Sequence, residues 1–284
     1  IVTLGGSFTN SGEIDAIANA AVVVSLSADA LDAQGSTAQA YITAYGSISI
    51  SASAKATGIG IDVNDINGDL TNSGALSATA IAKVDVSLTA DGGEGDALAR
   101  IASTDSGVSI SASATAIGLY ATITTLDGDF LNSGEINAAA SAAVVVDLSA
   151  NAPTDGAQAF ISAYSSVSIS ASASATGLDI NIDTVGGDLT NSGALNATAI
   201  AKVDVTLTAD GGEGSALAYI SATLSGDVSI SASASALGLT ASITSLAGDF
   251  TNSGDIAALA NAAVVVALSA ESNGNAIAYI SAVS

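Results

Sequence analysis

Apolar and polar residues alternate along much of this chain. From Leu195 to Ala209 every odd position is Leu, Ala or Val, whereas most even positions are Asn, Thr, Lys or Asp. Side chains of a β-strand point to opposite faces in turn, so a period of two over this length indicates strand. No window shows the spacing of an amphipathic helix. The sequence therefore predicts an all-β protein.

A phrase built on Asn-Ser-Gly recurs five times at nearly even intervals. Each interval is about 60 residues, and a fixed period of this kind is the signature of a repeat architecture. We therefore expect a single repeat array over residues 1–284, whose units start near residues 8, 70, 130, 189 and 250, the last one being incomplete. The repeated asparagines are Asn10, Asn72, Asn132, Asn191 and Asn252.

Each unit has a finer pattern. Its second half opens with Val/Ile-Ser-Ile-Ser-Ala, as at Ile48 and Val108, and alternates like the first half, which predicts a half-period of about 30 residues. The second and fourth units carry Ala-Lys-Val-Asp-Val, at Ala82 and Ala201, where the other three carry Ala-Ala-Val-Val-Val. The larger repeat therefore spans two units.

The length of the alternating runs favours a β-solenoid, similar to a parallel β-helix. Strands usually have about 5 or 6 residues, so we expect the runs to pass around corners, with equivalent residues stacked about 4.8 Å apart. The alternation slips by one residue at four glycines, which predicts a β-bulge or a corner at Gly58, Gly118, Gly177 and Gly238. An extended array of long antiparallel β-hairpins is the alternative, because the segment 90–95 would suit a hairpin turn.

Composition narrows the function. Hydrophobic residues make up 49% of the chain but aromatic residues only 4%, so Ala, Val, Ile and Leu must fill a thin core. A net charge of −23 argues against nucleic acid as a partner, and no apolar run is long enough for membrane insertion as a helix. The absence of Cys and His removes thiol chemistry, zinc sites of the usual type and His-based triads. We therefore expect no enzymatic activity.

Two acidic segments are candidates for a Ca²⁺ site, because Ca²⁺ prefers oxygen ligands. We expect no other cofactor. Residues 91–96 partly match a Gly-Gly-x-Gly-x-Asp calcium repeat, and residues 62–69 hold the densest group of oxygen side chains, but neither segment has EF-hand spacing. Plain acidic turns are the other interpretation. The candidates are Asp62, Asn64, Asp65, Asn67, Asp69, Asp91, Glu94 and Asp96.

Two polar patterns suit a structural role. The repeated asparagines favour turns, and if equivalent residues stack, their amides would form a ladder. Serines at every second position, as in Ser168–Ser174, indicate the polar outer face of an Ala-cored sheet. A flat hydroxyl array that orders water, as in ice-binding solenoids, is the alternative interpretation of these serines.

The phrase Gly-Asp-(Phe/Leu)-x-Asn-Ser-Gly-x-(Ile/Leu), as at 68–76 and 187–195, resembles repeats of filamentous-haemagglutinin-like adhesins and other bacterial β-strand-repeat surface proteins. The resemblance spans the chain and implies a right-handed parallel β-helix that serves attachment. The repeat of that family has roughly 20 residues, so the period of this chain departs from it.

These observations together predict a structural subunit of an extracellular or cell-surface fibre. The chain begins at Ile1 and contains no Met, which indicates a removed leader or a piece of a longer protein. The segments 1–4 and 276–284 resemble unfinished parts of the repeat, so we expect self-assembly into a head-to-tail homopolymer. The alternatives are the stalk of a large surface adhesin and a module that binds Ca²⁺, ice or glycans.

Overall fold

The computed structural model describes residues 3–30, 36–224 and 226–282. Every regular element in this part of the chain is a β-strand, and all strand pairs are parallel. The strands form four sheets of five strands each. None of the described residues form a helix that is long and apolar enough to cross a membrane.

We name the sheets by their characteristic residues. The serine sheet contains β1 (Thr3–Leu4), β5 (Ile48–Ile66), β9 (Val108–Leu126), β13 (Val167–Val185) and β17 (Val228–Leu246). The asparagine sheet contains β2 (Phe8–Asn10), β6 (Leu70–Asn72), β10 (Phe130–Asn132), β14 (Leu189–Asn191) and β18 (Phe250–Asn252). The valine sheet contains β3 (Ile14–Asp29), β7 (Leu76–Asp91), β11 (Ile136–Asn151), β15 (Leu195–Asp210) and β19 (Ile256–Glu271). The tyrosine sheet contains β4 (Ala38–Ala44), β8 (Ala97–Ser103), β12 (Ala157–Ala163), β16 (Ala216–Ala222) and β20 (Ala276–Ala282).

One coil of the solenoid takes a whole unit of the repeat. The chain passes through the serine, asparagine, valine and tyrosine sheets in turn and then starts the next coil. Equivalent residues pair across coils, for example Val146 with Val205 and Ala159 with Ala218. The predicted repetitive parallel β-solenoid is therefore confirmed, and the described strands form no antiparallel hairpin.

The sequence left the length of a coil open. The two halves of a unit lie on opposite sides of one coil, in the valine and serine sheets, so one coil contains both halves. One expectation was wrong, because the long alternating runs do not pass around corners. Strands such as β7 and β9 run for 16 and 19 residues without interruption, since each is paired along its length with strands on both sides.

The interior is divided into two apolar cores. The larger core is filled mainly by Ala and Val from the valine sheet, the tyrosine sheet and the first half of the serine sheet. The smaller core contains Ile, Leu and Phe from the rest of the serine sheet, the asparagine sheet and the first residue of the valine-sheet strands. As the alternation predicts, Val203, Val205 and Leu207 are fully buried, and so are Val144, Val146 and Leu148.

The four repeated glycines mark the boundary between the cores. Ala116 faces the larger core and Leu119 faces the smaller one, so the alternation slips at Gly118. Pairing stays one residue to one residue on both sides of the glycines, so this is a kink shared by all the strands and not a β-bulge. A Cβ atom on Gly118 would overlap Cγ2 of Ile136 and would lie 2.6 Å from the carbonyl oxygen of Gly177, which explains why only glycine fits there.

The buried side of β15 can be tested with one carboxylate. Val205→Asp places a charge among the alanine and valine side chains of the larger core, and we expect a loss of about 4 kcal/mol or more at pH 7. Thr208→Asp is the matched control, since Thr208 lies on the opposite face of β15 between Ser149 and Ser269. Urea denaturation of both variants measures the difference, and equal midpoints would show that the assigned facing of β15 is incorrect.

Candidate functional site

The repeated asparagines form a hydrogen-bonded ladder along the solenoid axis. The side-chain Nδ2 of each of the first four donates to Oδ1 of the asparagine in the following coil, at 2.7, 2.7, 2.6 and 2.6 Å. The same Nδ2 donates to the carbonyl oxygen of the glycine two residues later, at 3.1 Å for Asn132 and Gly134. The amide of Asn132 is completely buried, and these bonds satisfy both of its donors and its acceptor.

The ladder has a direction. Every described link runs from an Nδ2 donor to an Oδ1 acceptor in the coil that follows in sequence. At one end Oδ1 of Asn10 accepts the backbone N–H of Gly12 at 3.3 Å and accepts no asparagine side chain in the described part of the chain. At the other end Asn252 donates to the carbonyl of Gly254, and no further strand of the asparagine sheet follows β18 in the described part of the chain. One end of the ladder therefore presents an acceptor side and the other a donor side.

The aspartates that precede the asparagine sheet link the coils in a second way. The carboxylate of Asp69 accepts the backbone N–H of Asp129 at 3.0 Å, and that of Asp129 accepts the N–H of Asp188 at 2.8 Å. The carboxylate of Asp188 accepts the N–H of Asp249 in the same way. In the first coil Ser7 Oγ takes the place of the carboxylate and accepts the N–H of Asp69. These acids stabilise the turn by bonds to backbone N–H groups, which are stronger when the acceptor is charged.

The structure does not bring the calcium candidates together. Asp62, Asn64 and Asp65 lie along extended β5, which carries successive side chains apart, and Asp65 accepts a hydrogen bond from Thr3. Asn67, Asp69, Glu94 and Asp96 lie outside the strands, and Asp91 ends β7. Asp69, Asp91 and Asp96 each accept a backbone N–H group. No group of three or more acidic side chains arranged to hold a metal ion occurs among the described residues.

The aromatic residues form a surface that sequence reasoning missed. Five of the six tyrosines lie in the tyrosine sheet or directly after its strands: Tyr41, Tyr45, Tyr164, Tyr219 and Tyr279. Within the sheet one outward row holds, in register, Tyr41, Arg100, Phe160, Tyr219 and Tyr279. Alignment of the five units on their shared Ala-x-Ala-x-Ile pattern would have revealed this row, because each member occupies the same position.

The rings of this row stack on one another. The ring centres of Phe160 and Tyr219 are 4.7 Å apart, and those of Tyr219 and Tyr279 are 5.2 Å apart, with nearly parallel planes. The guanidinium of Arg100 lies 5.4 Å from the ring centre of Tyr41, a cation–π distance. Burial raises the pKa of Tyr219 above its usual value of 10.0, with a smaller contribution from Tyr279, and Arg100 opposes the shift.

The serines of the serine sheet lie on its outer face. Ser109, Ser111 and Ser113 are register partners of Ser168, Ser170 and Ser172, and together they form a flat hydroxyl array that is partly or fully exposed. Lys83 and Lys202 lie on the outer face of the valine sheet and pair with Asp85 and Asp204, at 2.9 and 3.0 Å.

Comparison with known proteins found no matching family model, no matching curated protein and no matching solved structure.

The asparagine ladder can be tested at Asn132. Asn132→Asp replaces a donor with an acceptor that faces the oxygens of Asn191 and Gly134, and we expect a loss of about 3 kcal/mol at pH 7. The new carboxyl should have a raised pKa in the folded state. A protonated carboxyl still lacks one of the two donors of the amide, so a smaller loss should remain at low pH. The additional loss should be absent below about pH 4 and be complete once the pH has risen through that folded-state value.

Two variants make this test specific. Asn132→Ala removes the amide without adding a titratable group, so its loss of stability should not vary in the same pH range. Asn19→Asp changes an exposed asparagine on the valine sheet and should cost little. Urea denaturation between pH 3 and pH 7 measures all three variants, and a fully stable Asn132→Asp at pH 7 would show that the ladder contributes nothing.

The raised pKa of Tyr219 predicts a loss of stability in alkali. The contribution of Tyr219 is constant below its unfolded-state pKa of about 10 and is lost as the pH rises through the higher folded-state value. Tyr219→Phe should reduce the loss of stability above pH 10, whereas Tyr45→Phe, which changes an 88% exposed ring, should not. Denaturation midpoints between pH 9 and pH 11.5 measure this effect. An equal fall of the midpoint in wild type and in Tyr219→Phe above pH 10 would contradict it.

Proposed function

We propose that this chain is a structural, non-enzymatic subunit of an extracellular fibre, in which copies stack end to end along the solenoid axis. The observation that carries the proposal is the exposure of inward-facing apolar side chains on the last coil. Four of these side chains are between 44% and 49% exposed, namely Phe250, Ile256, Val264 and Ile280. Their register partners one coil earlier are completely buried, namely Leu189, Leu195, Val203 and Ile220.

A second copy is a suitable cover for this surface, because both ends belong to the same repeat. A copy stacked on the last coil would place the Oδ1 of its Asn10 opposite the Nδ2 of Asn252, and so continue the asparagine ladder. The contact joins two different surfaces, so it propagates into a filament instead of closing. Terminal residues 1, 2, 283 and 284, which the sequence also assigns to this contact, lie outside the described residues.

The charge of the chain favours axial over lateral association. A net charge of −23 repels the sides of neighbouring solenoids, whereas the exposed end of the core is apolar. The resemblance of the Asn-Ser-Gly phrase to repeats of filamentous-haemagglutinin-like adhesins supports a location at the cell surface.

Adjacent valines on β19 provide a matched test of assembly. Val264 faces inward and Val265 outward, and the two are similarly exposed, at 44% and 48%. The full chain should form linear filaments as its concentration rises. Val264→Asp should abolish them by placing a charge in the contact, whereas Val265→Asp should leave them intact. Negative-stain microscopy and sedimentation velocity measure assembly, and circular dichroism checks that each variant is folded.

The stalk of a large surface adhesin is the second candidate, and the serine sheet favours it. Among the described residues only Thr3 and Leu4 cover the outer edge of β5, at Asp65 and Ile66. A stack of separate copies would leave the rest of that edge without a strand, whereas a continuous run of coils would cover it. A full chain that stays monomeric at high concentration would contradict the fibre proposal and support the stalk.

A further inference from the structure

A cavity of about 290 Å³ opens on the outer side of the tyrosine sheet, between the first two coils. It is lined by Thr43, Ala44, Tyr45, Arg100, Ala102 and Thr104, and we call it the Arg100 cavity. Thr43 and Ala102 are register partners at the end of the sheet. The cavity lies on the side of the solenoid, and half of its lining residues belong to the first coil.

Arg100 is a cation without a carboxylate partner in the described part of the chain. The protein has 27 acidic and 4 basic residues, and the described ion pairs are those of Lys83 and Lys202. The Nε of Arg100 is buried and makes no hydrogen bond to the described residues. A guanidinium presents paired donors in a planar fork that suits a carboxylate, so its position in a cavity indicates an anionic ligand group.

The position of this guanidinium is well defined. Arg100 lies in the stacked row of the tyrosine sheet, with Cζ 5.4 Å from the ring centre of Tyr41. Its strand β8 is paired along its whole length with β4 and β12. A cation held over an aromatic face on a paired strand loses little freedom when a ligand binds, which favours affinity.

The rest of the lining is both apolar and rich in hydroxyl groups. Ala102 contributes apolar lining, Thr43 and Thr104 contribute hydroxyl groups, and Tyr45 is 88% exposed. Thr104 Oγ1 donates to the carbonyl of Ala44 at 3.4 Å, and its oxygen can still accept a bond. A pyranose ring has the matching character, with apolar C–H faces and hydroxyls around its rim.

We propose that the Arg100 cavity binds a sugar that bears a carboxylate, with the carboxylate on the guanidinium and the ring against Tyr45. The volume is at the lower end of the range for ligand sites, about 300 to 1,000 Å³, so the cavity takes one sugar ring and not a long segment. A simple carboxylate such as acetate would leave the aromatic and hydroxyl surfaces unused. An acidic peptide would need further cations, and Arg100 is the one cation among the described residues that line the cavity.

Calorimetric or NMR titration of the full chain with galacturonate tests the proposal, with galactose and acetate as control ligands. We expect saturable binding of galacturonate, and binding at least tenfold weaker for galactose and for acetate. Acetate that binds as tightly as galacturonate would overturn the sugar assignment, and galactose that binds as tightly would overturn the role of the carboxylate. Absence of saturable galacturonate binding would overturn the proposal as a whole.

Variants identify the residues involved. Arg100→Gln should weaken galacturonate binding at least tenfold, and Tyr45→Ala should weaken it several-fold. Lys202→Gln removes a cation from the valine sheet and should leave binding unchanged. Arg100→Lys keeps the charge but loses the planar fork, so it should bind several-fold more weakly. If Arg100→Gln fails to fold, Arg100→Lys serves as the test in its place. Unchanged binding in a folded Arg100 variant would overturn the assignment.

The ligand could be a free acidic sugar or a residue within a polysaccharide, and a third titration separates these sources. A higher affinity per site for oligogalacturonate than for galacturonate indicates that the ligand is part of a polysaccharide. Equal affinities indicate a single sugar residue.

Discussion

The structure depends on one constraint: each residue lies beside its equivalent in the coils before and after it. Parallel pairing at a strand spacing of about 4.8 Å places equivalent side chains in a row along the axis. Each residue must therefore fit beside the residues that occupy the same position in the neighbouring coils. Asparagine satisfies this condition well, because its amide is both donor and acceptor and can bond to a copy of itself. Alanine, valine and serine satisfy it because they are small enough to lie beside copies of themselves, and the aromatic rings satisfy it by stacking.

The same constraint explains why the larger repeat spans two units. Like charges directly opposite each other on neighbouring strands are destabilising. Lys83 and Lys202 are separated by Ala143, and Asp85 and Asp204 are separated by Val145, so the ion pairs occur on every second coil. The small residues between them also leave room for the lysine side chains. The alternation of units is thus a way to place charged pairs on a surface that repeats at short distance.

Local patterns predicted the fold well, and long-range geometry explains what they missed. Alternation in β15 was enough to predict strand and the inward side of Val205, since both depend on neighbours in sequence. The length of a coil depends on which distant segments pair with each other, which a period alone does not determine. The calcium candidates are dense in sequence but not in space. Three of them lie on an extended strand, which separates neighbouring side chains, and the carboxylates of Asp69, Asp91 and Asp96 bond backbone N–H groups. The Arg100 cavity combines residues of two coils, so no single segment contains its signal.

Electron paramagnetic resonance on doubly spin-labelled chains tests most directly that one coil takes one whole unit, because the chain has no native cysteine. Ser111 and Ser170 are register partners on neighbouring strands of the serine sheet, so labels there should show strong dipolar broadening. Ser111 and Ser141 are half a unit apart and lie in the serine and valine sheets, on opposite sides of the coil, so labels there should show none. Broadening between Ser111 and Ser141, with none between Ser111 and Ser170, would contradict a coil of one whole unit.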